Sequence, residues 1–185
     1  VWEWNEGYEQ GTVTSVAAAE PMGPLIDHGV LPELHKSEVF SHFAPVFEPD
    51  AETGEALTPG AHKRGTELFC HLKHAPAVAH AHIDKACGVF AAAPNVGLID
   101  IGGDIIIDDV FNTPDDVELF AAMLSGSRLR DFLIVDALER PRAAGAVLLT
   151  IARNFRGEIR ANALCLWAMV CLLYTSDAAD EGLGV

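Results

Sequence analysis

Basic side chains are scarce in this sequence: 12 Lys and Arg stand against 27 Asp and Glu, for a formal charge of −15. That balance disfavours nucleic acid and anionic membrane surfaces as the main partner, because both repel an acidic protein. No apolar run is long enough to span a bilayer, which takes about 20 residues. The sequence has no Cys-x-x-Cys pair, phosphate-binding glycine loop or nucleophile elbow. The usual signatures of dithiol, nucleotide and acyl-transfer chemistry are therefore missing. Cysteine is sparse, at 4 residues. Irregular spacing and no visible signal peptide point to free thiols in a reducing, cytoplasmic compartment. No internal repeat is evident beyond a loose likeness between helix pairs near the C-terminal end.

What the chain does have is apolar surface, half of its residues being hydrophobic. The strongest periodicity runs from Thr113 to Val170. Thr113-Pro114-Asp115-Asp116 reads as a helix start, with a capping hydroxyl, proline at the first position and acids at the positive end of the dipole. Val117, Phe120, Ala121 and Leu124 follow at helical spacing, and Ser125-Gly126-Ser127 interrupts it. A second helix is expected from about Arg128 to Glu139, ending before Pro141. A third places Ala144, Val147, Leu148, Ile151, Ala152 and Phe155 on one face, with Arg142, Arg153 and Arg156 off it. Gly157 suits a helix end. A fourth carries Ile159, Ala163, Leu166, Trp167 and Val170. From Ala161 it is apolar nearly all round, which predicts burial on several sides. Short links make these helices antiparallel neighbours in a stack of hairpins. Residues 126–160 hold seven arginines against Asp131, Asp136, Glu139 and Glu158. They read as a solvated helical surface pairing with the acidic remainder.

Ahead of that tail the signals are shorter. Residues 1–12 suggest a strand remnant or loop, and Val13 to Ala19 a short strand or helix start. Pro21 to Pro32 is turn-rich. Glu33 to Phe43 looks helical and ends at Pro45, and Pro49 to Gly60 reads as an acidic loop. A helix from about Ala61 passes Leu72 and breaks or kinks at Pro76. Val78, Ile83, Ala86, Cys87 and Phe90 continue an apolar pattern. The isoleucine-rich runs from Val96 to Ile107 around Gly102-Gly103 predict a β-hairpin. The expected class is mainly α with a small β-hairpin, or α+β if a preceding segment adds a sheet. The expected divisions are a partial N-terminal region over 1–60, a helix and hairpin over 61–112, the helical tail over 113–170, and 171–185.

Candidate chemistry is confined to a few side chains. Cys70, His71, His74, His80, His82, Asp84 and Cys87 are the right ligand types for zinc. On one straight helix His71 and His82 would lie about 16 Å apart, too far for one ion unless the chain bends at Pro76. His80 and His82 would converge on a strand, where alternate residues share a face. The loose spacing reads more simply as a histidine-rich solvent face. Asp108-Asp109 and Asp115-Asp116 read as solvated acids and a helix N-terminus.

Four resemblances are carried by short stretches of the sequence. Ala79-His-Ala-His-Ile-Asp-Lys-Ala86 resembles the His-x-His strand end of metal-dependent amidohydrolases. That would imply a (β/α) barrel with His80 and His82 as zinc ligands, Asp84 beside them and an activated water. Ile101-Gly-Gly-Asp-Ile105, with Asp84 upstream, resembles the Gly-Gly-Asp segment of flavin transferases, although a lone Gly-Gly is more simply a turn. Leu124-Ser-Gly-Ser-Arg-Leu-Arg-Asp-Phe-Leu133, Ala144-Gly-Ala-Val-Leu-Leu-Thr-Ile-Ala-Arg153 and Arg160-Ala-Asn-Ala-Leu-Cys-Leu-Trp-Ala168 resemble the C-terminal part of the actinobacterial domain-of-unknown-function family 4192. Arg130 and Asp131 match that family's Arg-Asp motif, and the resemblance implies an Ala-rich, tetratricopeptide-like helix pair in the tail. The family supplies no catalytic residues to carry over. Cys171 to Glu181 resembles a translated transposon-type sequencing adapter, so 171–185 is expected to be non-native. Without Asp177, Asp180 and Glu181 the acid count falls from 27 to 24 and the charge from −15 to −12.

The expected function is a non-catalytic, cytosolic interaction or structural module with a protein partner, no cofactor and no membrane contact. The alternative is a zinc-dependent hydrolase of amidohydrolase type using His80 and His82. Arg130 and Asp131 are expected to brace the second helix against its neighbours, the other reading being a binding site on the tail. Adjacent residues on a helix point about 100° apart, so each is expected to reach a different element rather than its neighbour.

Overall fold

The structure, a computed structural model, describes residues 2–4, 11–13, 43–44, 50–94 and 106–182, with side chains over 43–44, 54–94 and 106–172. The chain forms two compact units, Val1–His42 and Phe43–Val185. In the first, β1 (Trp2–Trp4) pairs antiparallel with β2 (Gly11–Val13), setting Trp2 opposite Val13 and Trp4 opposite Gly11. The expected helix over Glu33–Phe43 lies outside the described residues except for Phe43, which sits in a turn.

The second unit is helical, and the chain as a whole is mainly α. Helix α1 (Asp50–His74) starts eleven residues before the expected Ala61. The stretch read as a loop is therefore helix, even with Pro59 inside it. The reason is tertiary. Gly54, Ala61, Gly65 and Leu68 are buried, with Leu57 and Leu72 packed beside the same core. Those intervals of three and four make one continuous stripe. A Cβ on Gly54 would fall 1.9 Å from the Asn154 carbonyl oxygen, and one on Gly65 would fall 2.1 Å from Ser125 Oγ. Bare backbone at these two positions lets α1 lie close against its neighbours. Pro59 points outward, where its missing amide costs least.

The break at Pro76 is present. Ala75 leaves helical geometry at φ −147 and ψ 61, and α2 runs Pro76–Ala92, as the residue before proline requires. Ala79, Ile83, Ala86, Val89 and Phe90 are its buried set; Val78, expected inward, is exposed. Residues 96–105 of the expected β-hairpin lie outside the described residues, but Ile107 begins the short helix α3 (Ile107–Val110) rather than ending a strand. The Ile106 amide donates to the Asp109 carboxylate at 3.1 Å, and such local side-chain bonding favours a helical turn over a ladder.

Helix α4 (Pro114–Leu124) is the centre of the unit. Thr113 caps it as expected, its hydroxyl accepting from the Asp116 amide at 3.2 Å. Val117 and every residue from Leu119 to Leu124 are buried. Phe120 meets Phe90 and Phe111 edge-on at 5.4 and 5.7 Å between ring centroids. The expected second helix appears as α5 (Ser127–Arg130), a 3-10 turn (Asp131–Leu133) and α6 (Ile134–Glu139).

Helix α7 (Pro141–Asn154) is buried from Ala143 to Asn154, Arg153 included. Arg153 therefore does not stay on a solvent face as its spacing suggested. Gly157 takes φ 60 where α7 gives way to α8 (Gly157–Gly182). Ile159, Ala163, Leu166 and Val170 of α8 are buried while Ala161, Cys165 and Ala168 are exposed. The expected several-sided burial is thus one-sided among the described residues. Helix α8 continues through Cys171 without a break. Among the described residues no helix is long and apolar enough to cross a membrane.

Candidate functional site

The histidine and cysteine group is split between two helices. Cys70, His71 and His74 end α1, while His80, His82, Asp84 and Cys87 lie on α2. Residues two apart on a helix project about 200° apart. His80 and His82 therefore point away from each other, and the strand-end convergence of a barrel enzyme is absent here. Among the described residues no three His, Cys, Asp or Glu side chains come close enough to hold a metal ion. Cys87 is pushed up to about 12, first by burial and then by Asp136. Its thiol donates to the Phe132 carbonyl at 3.9 Å. The Gly102-Gly103 segment lies outside the described residues.

Arg130 and Asp131 stand at the junction of α5 and the 3-10 turn. Contrary to expectation they pair with each other: Arg130 Nη2 and Nε donate to Asp131 Oδ1 at 2.7 and 3.1 Å. Divergence along a helix does not prevent this, because the long guanidinium arm spans it and the chain tightens at Asp131. Arg130 also crosses to α8, where Nη1 donates to Asn162 Oδ1 at 3.1 Å and approaches Cys165 Sγ at 3.6 Å. Asn162 is buried, and its amide donates to the Leu124 carbonyl at 2.9 Å, at the last turn of α4. One relay thus ties α5, α8 and α4. Arg160 makes a second tie, donating to the Ala152 and Phe43 carbonyls. Phe43 in turn packs edge-on against Trp167 at 4.9 Å.

A third polar cluster sits at the start of α4. Asp115 accepts from Arg64 on α1 at 2.7 Å and from Lys85 on α2 at 2.8 Å; Lys85 also meets Asp116 at 2.8 Å. Arg64 and then Lys85 hold the Asp115 carboxyl down at about 2. Lys85, then Thr113, lowers Asp116, and the two acids raise Lys85. The acids expected at a helix N-terminus are there, and they also clamp three helices.

A surface cleft of about 430 Å³ lies between α1, the Ser125-Gly126-Ser127 turn and the first turn of α8. His62, Thr66, Phe69, Ser127, Arg128 and Glu158 line it. Gly65, close against Ser125, also lines it. The Arg128 guanidinium carbon lies 5.5 Å from the Phe69 ring centroid, within cation–π range.

Reading along the sequence missed Asn162 and this cleft. Asn162 had a signal, since it lies three residues after Ile159 and four before Leu166, on the buried stripe. A polar residue there needs a partner. The cleft had none, because its lining comes from three separate segments.

Comparison with known proteins finds one family model, described as "Domain of unknown function (DUF4192)", matching residues 2–178. That span reaches into the stretch likened to a sequencing adapter. No curated protein and no solved structure matches the chain.

Proposed function

The chain belongs to the domain-of-unknown-function family DUF4192, and we propose that this member is a non-catalytic interaction or structural module working with a protein partner. The observation that carries this reading is the direction in which acids, lysine and thiols are displaced among the described residues. Asp115 and Asp116 go down, Lys85 goes up, and Cys87 and Cys171 are pushed up to about 12 and about 11. A general acid or base works best with a pKa near the operating pH. These groups move away from it, held in ion pairs or by burial. The acidic charge supports a protein partner over nucleic acid or a membrane surface. The thiols of Cys70, Cys87 and Cys165 form no disulfide with one another, which suits a cytosolic setting. Short links between consecutive helices support a hairpin stack of the tetratricopeptide kind.

Thermal unfolding with and without zinc tests the reading. The expected result is one midpoint under both conditions. A midpoint that climbs with stoichiometric zinc, and no longer does so in His80→Ala and His82→Ala, would favour the zinc-dependent hydrolase instead. Elemental analysis of the natural protein gives the same answer more cheaply.

A further inference from the structure

We infer that the cleft between α1 and the α4–α5 turn binds a short peptide segment with one acidic and one basic side chain flanking an apolar residue. The inference rests on the module reading above and names its partner's chemistry. A volume of about 430 Å³ falls within the range of small-ligand sites. Three lining side chains set the chemistry. Phe69 is a large apolar group left 41% exposed. Arg128 stands over it, and Glu158 lines the same cleft. Among the described residues neither charge has an ion-pair partner, and the two do not pair with each other. Nearby charges do neutralise one another: Arg64 and Lys85 meet Asp115, and Arg156 meets Glu55.

Opposite charges that share a cleft without pairing favour a ligand whose own charges are separated. A lone anion drawn to Arg128 would be opposed by Glu158, and a lone cation the reverse. A peptide satisfies both, with a carboxylate on Arg128, an ammonium on Glu158 and an apolar side chain against Phe69. The hydroxyls of Thr66 and Ser127 are there to meet its backbone amides. Thr66 donates to the His62 carbonyl at 3.0 Å, which leaves its oxygen free to accept.

The probe is the acetylated, amidated tripeptide Glu-Leu-Lys, titrated into the isotope-labelled full chain and followed by amide chemical shifts. Saturable shifts at Thr66, Phe69 and Ser127, with a Kd on the order of 1 mM, are expected. Affinity should fall about tenfold for the neutral Gln-Leu-Gln analogue, and likewise in Arg128→Gln and Glu158→Gln. Both variants alter exposed side chains, and unchanged thermal midpoints will confirm that they fold. No saturable shift up to about 10 mM, or equal binding by the neutral analogue or the variants, overturns the inference. Mass spectrometry of the recovered probe separates the two claims. An intact peptide agrees with both. Cleavage alongside the expected shifts would sink the non-catalytic reading and leave the cleft assignment standing.

Discussion

Arg130 donates in three directions, to Asp131, Asn162 and Cys165, while only 17% of its side chain is exposed. Arg130→Ala takes the donor from Asn162 Oδ1, a buried residue's acceptor, and should cost on the order of 1–3 kcal/mol. Asp131→Ala removes a carboxylate that is 53% exposed and should cost less than about 1 kcal/mol. Urea unfolding of both variants checks this. Equal losses would mean that the bond across to α8 matters no more than the surface pair. Lys at position 130 would not substitute fully, since one ammonium cannot reproduce a fork serving two partners. Cys87 offers a second check at this scale. Its thiol is pushed up to about 12, so little thiolate forms at neutral pH. Iodoacetamide should modify exposed Cys70 and Cys165 well before Cys87, as peptide mass mapping over time will show. Early labelling of Cys87 would contradict the raised thiol of this half-buried residue.

At the level of elements, the glycines of α1 and α2 have opposite roles. A side chain on Gly54 would press on the backbone carbonyl of Asn154, and one on Gly65 would sit 2.9 Å from the Ala122 carbonyl as well as against Ser125 Oγ. Gly54→Ala and Gly65→Ala should each destabilise by about 1–3 kcal/mol, the cost of overpacking. A Cβ on Gly88 in α2 would meet nothing within 4 Å. Gly88→Ala should therefore stabilise by about 0.5–1 kcal/mol, because alanine loses less backbone entropy in a helix. Denaturation midpoints of the three variants test the contrast, which a generic helix-propensity effect cannot produce. Thr113→Ala should cost about 1 kcal/mol through loss of the α4 cap.

Over the whole molecule, the clamp at the start of α4 makes stability depend on pH at both extremes. Asp115 and Asp116 have depressed folded-state pKa values. Their contribution is present above the ordinary value of 3.8 and fades as pH falls through the folded value, about 2 for Asp115. Lys85 is raised above 10.5, so its share holds below 10.5 and is lost as pH climbs through the raised value. Stability should therefore fall between about pH 4 and about pH 2. Asp115→Asn should flatten that slope, as thermal midpoints across the range will show; a slope unchanged by the substitution would place acid sensitivity elsewhere. All of these groups are solvent-accessible, so added salt should shrink the effect.

The parts legible in the sequence were those whose causes are local. A hydroxyl, a proline and two acids within four residues were enough to place the start of α4 at Thr113-Pro114, and the steric demand of Pro76 placed the α1–α2 break. The spacing of Ala144, Val147, Leu148, Ile151 and Ala152 marked a buried face of α7. Resemblance over the tail pointed to the family to which the chain belongs. Tertiary structure decided the rest. Asp50–Gly60 is helix because Gly54 packs on the carbonyl of Asn154, one hundred residues along the chain, which outweighs the local signal of Pro59 and Gly60. His80 and His82 diverge because α2 is a helix, not a strand. Arg153 is buried because α7 is enclosed on more than the one face its periodicity marked. Arg130 and Asp131 stood out along the chain, but the partner that gives Arg130 its role, Asn162, is 32 positions away. Adjacency and periodicity are local properties, whereas the pairing of distant side chains exists only once the helices have packed.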